Sequence, residues 1–221
     1  ELGNARSLII KNFILDESEV SFDKIINSDW NFSGSRPKND YEVFRLQYYK
    51  LNHFGVLEKI NSDQKKLFIY IQGHTGNSYN DQYFLDIANK FKEEKYDILT
   101  LSMTGLNYNE NNKINFPNYN KKLNPSLHKT YSTYSDKNFP NKKPLSLMLS
   151  GNYYLIKKLI KQNNYEEIVM VGLSGGGWYT TLLSSIITEV NTSYSFAGTF
   201  PLFFRIFDTN IHDWEQIDRS L

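Results

Sequence analysis

The sequence predicts an α/β domain in which a mainly parallel sheet, opened by an antiparallel N-terminal hairpin, carries helices on both faces. Three observations lead there. Residues 67–71 and 167–171 are short, almost wholly apolar runs bounded by charge and glycine, as strands buried on both faces should be. Segments with apolar residues at helical spacing alternate with these runs, a pattern that right-handed crossovers satisfy. Residues 41–60 instead alternate twice with a polar break between, the mark of a hairpin.

Taken in order, residues 1–40 read as an N-terminal extension. It has short apolar pieces at 8–10 and 13–15, a short helix near 20–26, and the breaker cluster Ser33-Gly34-Ser35-Arg36-Pro37. Residues 41–221 read as one domain, incomplete at its C-terminus. Its first strand covers 41–51, the turn falls at Asn52-His53, and the second strand covers 54–60. The third, at 67–71, ends in Gln72-Gly73-His74-Thr75-Gly76-Asn77-Ser78. Tyr83, Phe84, Ile87 and Phe91 then follow helical spacing, with Asn77, Ser78 or Asn80 as N-cap. A fourth strand is expected at 97–103. Residues 104–144 form a long polar loop dense in Asn, Lys, Tyr and Pro, of the kind that is either a functional cover or poorly ordered. A helix over 145–160, a fifth strand at 167–171, a helix over 178–190 and a sixth strand at 193–202 complete the pattern, and 208–221 is polar and aromatic.

Composition excludes several function classes. With 25 Lys and Arg against 24 Asp and Glu, the net charge of +1 supplies no field for a nucleic-acid backbone or an anionic membrane. Zero Cys rules out thiol catalysis, disulfides and Cys-containing metal sites. No apolar run approaches a membrane-spanning length, so the chain reads as soluble, with its compartment left open. No metal or organic cofactor is implied.

Gly172-Leu173-Ser174-Gly175-Gly176 satisfies G-x-S-x-G, with an apolar strand directly before it and a helix directly after. Such a turn holds its serine in a strained backbone, while the flanking glycines let strand and helix approach closely. The hydroxyl then stands exposed beside a helix N-terminus that favours developing negative charge. Nucleotide-binding alternatives fit worse: no lysine follows Gly172 as a P-loop requires, and the glycines follow the fifth strand rather than the first.

About 100 residues earlier, Gln72-Gly73-His74-Thr75-Gly76 closes the third strand. With these two turns the chain resembles the α/β-hydrolase superfamily, of the serine esterase and lipase kind, over residues 41–205. That family has a His-Gly-x-x-Gly turn after its third strand and the nucleophile elbow after its fifth; Gln72 stands here in place of the usual histidine. The resemblance implies Ser174 as nucleophile and an oxyanion hole formed by the backbone N–H groups of Gly175 and His74, with Thr75 as substitute for the latter. It implies acyl transfer to water on a small-molecule ester, thioester or amide, with the aromatic stretch 108–134 as a cover.

In that family the base histidine comes last in the chain, which weighs against the His74 side chain in this role. His53, in the expected hairpin turn, and His128, in the long loop, read as surface histidines. Only His212 follows Ser174, and the downstream acids are Asp208, Asp213, Glu215 and Asp218, besides Glu189; Asp208 and Asp213 are the candidates, though Asp213 also suits a helix cap. The family's two further strands are missing. Three readings follow: a fragment of a longer hydrolase-like protein, which is preferred, a second chain that completes the sheet, or a catalytically inactive binding or scaffold protein.

Overall fold

The computed structural model describes residues 2–25, 37, 40–48, 51–60, 63–109, 128 and 144–198. Seven strands form one sheet among them: β1 (Ser21–Ile25), β2 (Tyr41–Tyr48), β3 (Leu51–Glu58), β4 (Lys66–Gln72), β5 (Asp97–Ser102), β6 (Glu167–Leu173) and β7 (Thr192–Phe196). Among the described residues four α-helices accompany it: α1 (Leu2–Phe13), α2 (Gln82–Glu93), α3 (Pro144–Asn163) and α4 (Gly175–Ile186). The strand order is β1-β2-β3-β5-β4-β6-β7. β4, β5, β6 and β7 run parallel, and β1, β2 and β3 join as antiparallel neighbours on the β5 side. This is the predicted architecture, with one strand more.

Period-two alternation builds two cores. Leu67, Ile69 and Ile71 of β4 and Ile168 and Met170 of β6 face one side, packing with α3 and α4. Phe68, Tyr70, Val169 and Val171 face the other, packing with Phe84 and Ala88 of α2. From β4 the chain goes to β5 on one side, then crosses back to β6 on the other. Such a reversal opens a crevice at the carboxyl ends of the strands, where open α/β sheets bind ligands.

Several expectations are corrected. Residues 21–25 form strand β1, not a helix. Its alternation is short and its charges pair across to β2, Asp23 with Arg45 at 2.8 Å and Lys24 with Glu42 at 2.5 Å, while Phe22 stacks on Phe44 with centroids 5.6 Å apart. Residues 14 and 15, also in the segment read as an extension, are buried, and Leu15 N–H donates to Ser150 Oγ of α3 at 2.9 Å. Leu51 already pairs with Tyr48, so Asn52 and His53 belong to β3, opposite Gln47 and Leu46, rather than to a turn. The α2 cap is Asp81, whose Oδ1 accepts from Tyr83 N–H at 2.9 Å, whereas Asn77 caps the short 3-10 turn before it. α4 begins at Gly175 rather than 178. The part of the sixth strand beyond 198 and most of the loop 104–144 lie outside the described residues.

Candidate active site

Ser174 occupies the corner where β6 becomes α4. Its φ of 56° and ψ of −127° are a conformation that costs a side-chain-bearing residue of order 1–3 kcal/mol. Both flanks are pinned: Ser174 N–H donates to Phe196 O of β7 at 2.8 Å, and Ser174 O accepts from Trp178 N–H at 3.2 Å. The motif glycines have steric causes. A Cβ at 172 would stand 2.2 Å from Gly176 O, and one at 176 would stand 2.0 Å from Ile71 O. β6, α4 and β4 therefore meet backbone to backbone, and the side chain of Ser174 is exposed at the crevice.

The turn after β4 closes on this corner. A Cβ at Gly73 would lie 2.7 Å from Leu173 O, 3.0 Å from Ser174 Cβ and 3.4 Å from Gly175 N. Gln72, the departure from the family pattern, is buried and donates through Nε2 to Thr75 O at 2.8 Å, so it ties the turn together. Asn107 Nδ2 holds Gly73 O at 3.2 Å. The His74 ring lies over the start of α4, its Nδ1 2.8 Å from where a Cβ on Gly175 would stand, with Met103 Sδ 2.5 Å from the same point. Ser174, His74 and Gly175, the three residues the sequence selects, thus converge. Asn107 and Met103 were not selected; the signal for them was their position just after β5, whose carboxyl end shares the crevice.

Two histidines read as surface residues are buried. His128 is 6% exposed, its Nε2–H donates to Thr104 O at 3.0 Å, and its ring sits 5.3 Å from that of His74. His53 is 0% exposed. Its Nε2–H donates to Asn152 Oδ1, and Asn109 bridges nearby, donating to Ser102 O at 3.0 Å and Met103 O at 3.1 Å. Gly151 makes room for the ring: a Cβ there would lie 2.5 Å from its Cγ. The helix α3 and the strand β3 thereby lock the backbone at the carboxyl end of β5.

Burial holds His53 down to about 4 from an ordinary 6.5, only partly offset by Asn152. The unfolded chain then binds one more proton than the folded one between these values, so stability falls as pH drops from about 6.5 to 4, by about 3 kcal/mol in all. Urea midpoints are expected to fall over that range, and His53→Gln is expected to remove about one proton from the slope. A wild-type slope unchanged by His53→Gln would show that other groups set it.

His212, Asp208, Asp213, Glu215 and Asp218 lie outside the described residues. Glu189 pairs with Lys157, just before Asn191, whose N–H bonds Ile168 O at the start of β6; this is the end of the sheet away from Ser174. Among the described residues no three His, Cys, Asp or Glu side chains gather as a metal site requires, and no helix is long and apolar enough to cross a membrane.

No protein-family model matches the sequence, and no curated protein does. Solved structures match its shape. A Bacteroides fragilis protein assigned as an acetyl xylan esterase gives a TM-score of 0.55 at 14% identity, covering 87% of this chain and 50% of its own. Acetyl xylan esterase 1 from Thermoanaerobacterium sp. gives 0.50 at 10% identity, covering 88% of this chain and 57% of its own. The chain spans about half the length of these structures. With the strand order, the crossover at β4 and the strained serine corner, these likenesses establish the architecture: the chain has the α/β-hydrolase fold.

Proposed function

We propose that this chain is a serine hydrolase that cleaves an ester, thioester or amide through an acyl-enzyme at Ser174. One observation carries the reading: an exposed serine held at positive φ, on a corner that the Gly73-His74 turn closes against. Ser174 Oγ attacks the carbonyl carbon, its proton passes to an imidazole, and the carbonyl oxygen becomes an oxyanion. The backbone N–H groups of Gly175 and His74 receive that charge, assisted by the N-terminus of α4. The oxyanion then collapses to the acyl-enzyme, expelling the alcohol, thiol or amine, which takes the proton from the imidazole; water attacks the acyl carbonyl in turn, its proton passing through the imidazole to Ser174 Oγ as the acid leaves. The names of the two structures cited above support an ester as substrate.

Fluorophosphonate labelling tests this. The protein is expected to gain one adduct, mapped to the peptide that contains Ser174. Two further variants assign the proton acceptor: His74→Ala keeps the backbone N–H but loses the ring beside Gly175, and His212→Ala removes the histidine that follows the serine in the chain. The variant that slows labelling by a hundredfold or so identifies the base. No adduct on the whole protein would instead support a binding or scaffold role for the fold.

A further inference from the structure

We propose a carbohydrate-binding groove on α3, at the end of the sheet opposite Ser174. A groove of about 610 Å³ runs between the second half of α3, Glu17 after α1 and Glu189 before β7. That volume falls within the roughly 300–1,000 Å³ of small-molecule sites. Tyr165 bounds it beside Glu166, at the start of β6. Six or seven residues of strand, about 20 Å, separate that end from the serine corner.

The lining selects a ligand class. Tyr153 and Tyr154 are half-exposed neighbours on α3 whose rings meet edge to face with centroids 5.1 Å apart. Tyr154 is fastened, its hydroxyl donating to Leu15 O at 2.5 Å, and its ring gives Tyr153 an edge-to-face support. Tyr153 lines the groove together with Glu17 and Glu189, and burial pushes its hydroxyl pKa up.

Both carboxylates are already neutralised. Lys157 pairs with Glu189, and Lys158 pairs with Glu17 at 2.7 Å, which holds Glu17 below the ordinary carboxylate range. Three lysines face three glutamates along the groove, so it offers no net charge to an ion. What it offers is two tyrosine rings lined by ion-paired ammonium donors and carboxylate acceptors. A pyranose ring has the matching chemistry: an apolar face of C–H groups to lie on a tyrosine, and a rim of hydroxyls that donate and accept at once. A neutral polyol loses little hydration to an ion pair that stays paired, whereas an anion or cation would have to break one.

Isothermal titration with xylohexaose and cellohexaose tests the site, using wild type, Tyr153→Ala, Tyr153→Phe and Ser174→Ala. At least one of the two sugars is expected to bind, at least tenfold more weakly to Tyr153→Ala, and within about threefold of wild type to Tyr153→Phe and Ser174→Ala. Affinity is expected to change little between 50 and 500 mM salt. Binding to neither sugar, binding unaffected by Tyr153→Ala, or loss in Ser174→Ala would overturn the assignment; loss in Ser174→Ala would place the sugar in the serine crevice instead. Binding that collapses with salt would also overturn it, because it would mark a lysine-bound charge rather than a stacked ring. Far-ultraviolet spectra of the variants exclude misfolding as the cause of any loss.

Discussion

Ser174→Ala is expected to lower the turnover of an activated ester by about a thousandfold or more while leaving the fold intact, because it removes the nucleophile and little else. The side chain of Ser174 is exposed, so no packing is lost. Alanine also carries a Cβ, and the φ of 56° therefore remains as strained as before, with both flanking hydrogen bonds unchanged. Ser174→Gly separates the chemistry from the strain. It is equally inactive, but it relieves a conformation that glycine adopts freely and is expected to gain about 1 kcal/mol, or roughly 2–4 °C in melting temperature. Two assays check this: ester hydrolysis for both variants, and thermal unfolding for both. Wild-type turnover by Ser174→Ala would take the serine out of the chemistry, and a glycine variant no more stable than the alanine one would show that the corner stores no strain.

That corner was legible in the sequence because its cause is local. Gly172 and Gly176 are required by contacts that a Cβ would make within the same strand, turn and helix or with the adjacent β4, and an apolar run announces each strand involved. The histidines were not legible, for the opposite reason. His53 sits in a short polar interruption that resembles a turn, and its burial is decided by Asn152, 99 residues away, and by the space left at Gly151. His128 lies in a polar stretch with no periodicity, and tertiary contacts, among them its bond to Thr104 O and its approach to the His74 ring, bring it inside. β1 was hidden by its length of five residues; the complementary charges that fix its register become readable only once β2 is beside it. Helix α1 carries a weak pattern in which Leu8 is exposed, and Arg6 Nε ties it to Ser185 O near the end of α4 at 2.9 Å, a tertiary contact without sequence signal.

The second large effect is expected at Gly176→Ala, which should destabilise the protein by about 3 kcal/mol or more, with a lower urea midpoint at an unchanged slope. The new methyl group would stand 2.0 Å from Ile71 O, 2.7 Å from Ile71 C and 2.9 Å from Gln72 C. These are backbone atoms of a strand hydrogen-bonded on both sides, to β5 and to β6, so no rotamer change can relieve the clash. Either α4 must lift from the sheet or β4 must bend at the point where it releases the Gly73-His74 turn. Both movements separate Gly73 from Ser174, so hydrolysis should fall together with stability, unlike in Ser174→Gly. Gly3→Ala supplies the control for glycine replacement in a helix: it lies in α1, a Cβ there meets nothing within 4 Å, and a gain of about 0.5–1 kcal/mol is expected from the stiffer unfolded chain. If Gly176→Ala were as harmless as Gly3→Ala, α4 could not be seated on the carbonyl of Ile71, and the approach of strand to helix that pushes Ser174 outward would have no cause.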